Sequence, residues 1–103
     1  MGSNIMNEIG YEPKTTFWED FSIADKFGKN AVIDTFKRAF IEWSDNAEYL
    51  TELVMVLNHK TFQYDTHNAI LADLYSDLWA FTYEYACEHI KGAELDYFYT
   101  VTD

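Results

Sequence analysis

The sequence predicts an all-α protein, a compact bundle of four to five helices behind a flexible N-terminal lead-in. Three observations carry that expectation. Apolar residues recur at helical spacing through most of the chain after residue 15, no stretch alternates apolar and polar long enough for a strand, and no Asn-Gly or Asp-Gly pair marks a hairpin. A length of 103 residues suits one domain. The 49% hydrophobic content supplies a core and argues against disorder despite a net charge of −11.

Residues 1–15 contain the single proline, Pro13, and two of the four glycines, without periodic pattern. They are expected to form a flexible or extended segment, and residues 16–103 a single helical domain. Thr16 through Glu19 fits a capping box, so a short helix is expected from there to Phe27, stopped by Gly28. Asn30 is expected to cap a second helix with Val32, Phe36, Ala39, Phe40, Trp43 and Ala47 on one face. Asp45-Asn46-Ala47-Glu48 is a further capping signature. The third helix then places Leu50, Leu53, Val54, Leu57 and Tyr64 on one side, with Glu48, Glu52, His59 and Gln63 opposite. Asp65 or Thr66 is expected to cap a long fourth helix over about residues 67–91, closed by Gly92. A final short helix from about Ala93 to Thr100 would pack Leu95, Phe98 and Tyr99.

The fourth helix carries the most information. Asp73, Asp77, Glu84 and Glu88 fall within an arc of about 60°. Leu74, Leu78, Phe81 and Tyr85 form one apolar seam, and Leu71, Tyr75, Trp79, Ala86 and Ile90 widen it beyond an ordinary amphipathic stripe. Such a helix is expected to be enclosed by neighbours on several sides or covered by a partner. Tyr75, Trp79, Tyr83 and Ile90 are the candidate apolar interface. The four carboxylates, with Glu48 and Glu52, are the candidate acidic interaction surface. The 19 aromatic residues exceed what so small a core holds, so some are expected at the surface or in a homodimer contact.

Charge is one-sided. Residues 39–103 hold 12 acids against two bases, whereas residues 1–38 hold six against five. Direct nucleic-acid binding and attraction to anionic membranes are therefore disfavoured, and a basic protein partner is favoured. Mimicry of nucleic acid, inhibiting an enzyme that binds it, is an alternative. Duplex DNA, however, carries a charge per about 1.7 Å of axis, and four carboxylates over about 22 Å of helix are far sparser.

Signals of catalysis are weak. His59, His67 and His89 lie at no i, i+3 or i, i+4 spacing from one another or from a carboxylate, and the glycines are too dispersed for a phosphate loop. Cys87, the single cysteine, has no partner for an intrachain disulfide. No catalytic residue, cofactor or metal is therefore expected, and an enzyme or metal-binding protein of unrecognised type is the remaining alternative. No apolar run spans a bilayer and no signal peptide is evident, so a cytoplasmic location is expected.

Three segments have a distinctive texture: Phe17 to Gly28, Tyr49 to Asn58, and Lys91 to Tyr99. With them the chain from about residue 17 to 103 resembles a group of small all-helical proteins of Gram-positive bacteria, often carried on phages or conjugative elements. That resemblance implies a cytoplasmic accessory protein of a mobile element and brings no activity or site residues. A non-enzymatic acidic module for protein–protein interaction is the leading expectation.

Overall fold

Thr16 opens the first helix, α1 (Phe17–Asp25), from the backbone. The structure, a computed structural model, describes residues 16–102. The lead-in expected over residues 1–15 lies outside the described residues. The capping box does not form, because the Thr16 hydroxyl donates to Asp20 Oδ2 at 2.7 Å instead of accepting from the backbone. α1 also ends earlier than expected. Its last turn tightens as Lys26 N–H bonds Ile23 O at 3.1 Å and Phe27 N–H bonds Ala24 O at 2.9 Å.

Gly28 then turns the chain at φ 103° and ψ −170°, backbone that side-chain-bearing residues avoid. It serves as the N-cap of α2 (Lys29–Trp43), its carbonyl accepting from Val32 N–H at 3.2 Å. Asn30 lies inside α2 rather than capping it. α3 (Ala47–Tyr64) begins at Asn46, whose side chain accepts from Tyr49 N–H at 3.1 Å. α4 (Ala69–His89) begins at Asn68, not Asp65 or Thr66, with its side chain accepting from Leu71 N–H at 3.1 Å. The reason is that residues up to Asn68 still serve the end of α3: His67 and Asn68 N–H both bond Tyr64 O. Gly92, at φ 65°, leads into α5 (Ala93–Thr102) and accepts from Leu95 and Asp96 N–H. Among the described residues there are five helices and no strand.

α3 is the middle of the bundle. It packs most extensively on α4 and also touches α1, α2 and α5. Five consecutive residues, Leu50 to Val54, are buried, which only a helix with neighbours on several sides allows. The wide apolar arc of α4 predicted that role for α4 instead. The structure reassigns it, because the side of α4 where Phe36 and Phe40 of α2 meet Phe81 and Tyr85 stays partly open, with Phe81 52% exposed. Two buried clusters make up the interior. One joins Phe17, Phe21 and Ala24 of α1 to Val32, Phe36 and Ala39 of α2, Leu53, Val56 and Leu57 of α3, and Leu71 and Tyr75 of α4. The other joins Leu50 and Val54 of α3 to Ala86, Ile90 and Phe98. Phe40 and Trp79 pack against both.

Candidate interaction surface

The densest chemistry in the chain is a buried polar knot where α1, α3 and α4 meet. Asp25 closes α1 with its side chain only 6% exposed, and Lys60 from α3 reaches it at 2.9 Å with its own side chain 3% exposed. Lys60 Nζ also donates to Ser22 Oγ at 3.0 Å. Tyr64 donates to Asp25 Oδ2 at 2.6 Å, and the Tyr75 hydroxyl donates to Oδ1. The two rings lie nearly parallel, 6.2 Å apart. Burial, then the hydrogen bond to Asp25 and its negative charge, push the Tyr64 phenol up to about 12 and raise Tyr75 further in the same direction.

An Asp, a Lys and two Tyr together resemble acid–base machinery, but here each is spent on the others. None of the knot residues lines any of the five surface grooves described in the structure. The knot ties α1, α3 and α4 together through Asp25. It could not be read from sequence, since Asp25 lies 35 to 50 residues from Lys60, Tyr64 and Tyr75 and looks like an ordinary helix-end acid.

The structure divides the residues expected at an interface. Tyr75 and Ile90 are buried within the chain's own core, so neither belongs to an outward apolar surface. The cause for Tyr75 is its bond to Asp25, and for Ile90 its contacts with α3 and α5 in the second cluster. Trp79 and Tyr83 are half-buried, their rings 5.2 Å apart, with Tyr83 also 5.2 Å from Phe98. Glu52 is likewise buried and drops out of the acidic surface, whereas Glu48 is exposed. Asp73, Asp77, Glu84 and Glu88 all stand exposed on α4.

Beside these four carboxylates runs the seam of Leu74, Leu78, Phe81 and Tyr85, and here the bundle is left open. Phe81 is 52% exposed, its ring 5.4 Å from Phe40 and 6.3 Å from Phe36. Phe40 in turn meets Tyr85 edge-on at 4.9 Å, and Tyr85 stacks on His89 at 3.9 Å. The result is an aromatic floor flanked by acid. The sequence carried that signal in the seam itself, but the wider arc drew attention to its buried half.

A second apolar opening lies between α1, α3, α4 and α5. It is a groove of about 300 Å³ bordered by Trp18, Met55, His59, Phe62, Trp79 and Val101, with Phe62 70% exposed. Trp18 and His59 meet edge-on at 5.1 Å. The histidines occupy separate places: His59 in this groove, His67 against Tyr64 at the end of α3, and His89 on Tyr85 with Nδ1 2.9 Å from its carbonyl. Cys87 is half-buried and accepts from the Tyr99 hydroxyl at 3.7 Å. Among the described residues no group of three His, Cys, Asp or Glu side chains could hold a metal ion, and no helix is long and apolar enough to cross a membrane.

No protein-family model, no curated protein and no solved structure matches this chain.

Proposed function

We propose that this chain is a non-enzymatic protein-binding module, acting as an acidic accessory protein in the cytoplasm and, on the resemblance noted above, within a mobile element. One observation carries the reading: a bundle with its own buried apolar core still leaves large aromatic and aliphatic side chains exposed, among them Phe81 and Phe62. Scattered apolar atoms on a surface need no explanation, but half-exposed aromatic rings set in an aromatic floor are the anchors that interfaces use. The net charge of −11 selects a basic partner, since unlike charges speed encounter and like charges suppress it.

The test is capture from a Gram-positive bacterial lysate on the immobilised protein. A discrete protein retained at low salt and shed as salt shortens the screening length supports the reading. Retention of nothing above a bare-matrix control at either salt would overturn it. A homodimer is the other way to cover exposed aromatic surface, and sedimentation across concentration separates it from binding to a different protein.

A further inference from the structure

We propose that the open side of α4, centred on Phe81, is the docking face of this module and that its occupant is a basic amphipathic helix of a partner protein. The proposal rests on the protein-binding reading above and adds the surface and the chemistry of what it binds. Its apolar part is Phe81 at 52% exposed and Ile70 at 67%, with half-buried Leu74, Leu78 and Tyr85 beneath and alongside. The rings of Phe36 and Phe40 back Phe81 from α2, which fixes its position before any partner arrives.

The acidic part runs parallel. Asp77 and Glu84 sit one turn before and one turn after Phe81, and Asp73 and Glu88 extend the line in both directions. At 100° per residue Phe81 lies about 20° beyond the edge of the carboxylate arc, so ring and acids share one approach direction. Of the cations, Lys29 lies on α2 two turns before Phe36 on the same face, Lys37 follows Phe36, and Lys91 lies beyond the end of α4, while Lys60 is buried on Asp25. The carboxylates dominate.

That arrangement selects among occupants by sign and shape. Two copies pairing through this face would set one carboxylate row against another. Nucleic acid and anionic lipid carry the same charge as the row. A protein segment with Lys or Arg beside apolar residues complements both parts at once. The face runs from Ile70 to Glu88, about 27 Å at 1.5 Å per residue, the length of a helix of about 18 residues. Its anchors repeat at one-turn intervals, which a helix matches and an extended strand, alternating its side chains, does not.

The probe is a synthetic amphipathic helix of Leu and Lys about 18 residues long, with a Leu/Glu analogue as control, titrated by calorimetry and followed by amide shifts. The Leu/Lys peptide is expected to bind with salt-dependent affinity and to shift resonances of α4 and α2, and the Leu/Glu peptide to show no binding. Phe81→Ala should weaken binding by about tenfold or more, as loss of a central aromatic anchor does. The pair Asp77→Lys and Glu84→Lys, which removes no buried atom, should weaken it at least as much. Phe62→Ser, in the groove between α1, α3, α4 and α5, should leave it unchanged.

Binding by Phe81→Ala and by the charge-reversed pair as tight as that of the wild type would overturn the proposal, as would shifts confined to the Phe62 groove. Self-association abolished by Phe81→Ala alone would assign the face to a second copy instead. In each of these cases lysate capture of a protein would leave the broader binding reading intact, while capture of nothing would remove it separately.

Discussion

The two ends of the bundle are held by different forces. Where α1 meets α3 and α4, an ammonium and two phenols share one carboxylate beside the apolar cluster of Phe17, Phe21, Leu57 and Leu71. Where α5 meets α3 and α4, the contact is apolar: Phe98 on Leu50, Val54, Ala86 and Ile90. The first end is specified by geometry, since Asp25 satisfies its donors in one arrangement only. The second is specified by volume, and α5 depends on a single buried residue, Phe98. The first should fail sharply when one partner is removed, and the second gradually as its side chain is shortened.

The largest effect is expected from Asp25→Ala. It leaves the Lys60 ammonium buried without its counter-charge and strips the Tyr75 hydroxyl of its acceptor. Breaking one half of a buried ion pair costs about 3–5 kcal/mol, read as a lowered urea midpoint. Replacing both charges, as in Asp25→Leu with Lys60→Met, should recover much of that loss, because the stranded charge is gone. A single variant that unfolds at the wild-type midpoint would show that α1 is held by its apolar face alone.

Phe98→Ala should cost somewhat less in the global transition, at about 3 kcal/mol. Its more telling signature is local. Amide exchange in α5 should accelerate strongly while Leu53, Val56 and Leu57 in α3 keep their protection. If α3 loses protection in parallel, the two ends are one cooperative unit and the contrast between them disappears.

Alkaline pH acts on the knot. Tyr64 ionises at about 12 in the folded protein against 10.0 for an ordinary phenol, so its folded value is the raised one. Its contribution to stability is complete below pH 10 and is lost as pH climbs from there through about 12, because the unfolded chain gives up its proton first. Thermal melts across that window should fall for the wild type and less steeply for Tyr64→Phe. A tyrosinate absorbance titration should lose a late-titrating step in the same variant. An unchanged late step would place the raised phenol elsewhere.

How legible each end is in the sequence follows from the range of its interactions. The helices, their order and the cap at Asn46 are local matters, set by spacing and by side chains three residues from the backbone groups they satisfy, whereas at α4 Asp65 and Thr66 offer competing cap residues and the structure uses Asn68. The all-α architecture and the exposure of Asp73, Asp77, Glu84 and Glu88 follow from such patterns. The knot is invisible for the opposite reason: Asp25 and Tyr75 are 50 residues apart, and a hydrophilic side chain at a helix end reads as solvent-facing. Tyr75 was expected at an interface by the same error, since periodicity gives the angle of a residue around its helix but not which neighbour fills that angle. The apolar end is more readable, because Phe98 and Ile90 follow hydropathy alone, although Ile90 is covered by this chain's own α5 rather than by a partner.

The smallest effects come from the two turns, one at each end, and they isolate backbone strain from packing. A Cβ on Gly28 or on Gly92 would meet no atom within 4 Å, so neither substitution clashes. What differs is the conformation. Gly92 has φ 65°, inside the left-handed region that other residues enter at a cost of about 1–2 kcal/mol. Gly28, at φ 103° and ψ −170°, lies where glycine is almost alone, and strain there reaches up to about 3 kcal/mol. Gly28→Ala should therefore destabilise more than Gly92→Ala. The difference should shrink in an Asp25→Ala background, where α1 no longer has to meet Lys60 and the turn at Gly28 is free to relax. Full additivity of the two substitutions, measured by urea unfolding of both singles and the double, would mean that the turn and the knot position α1 independently.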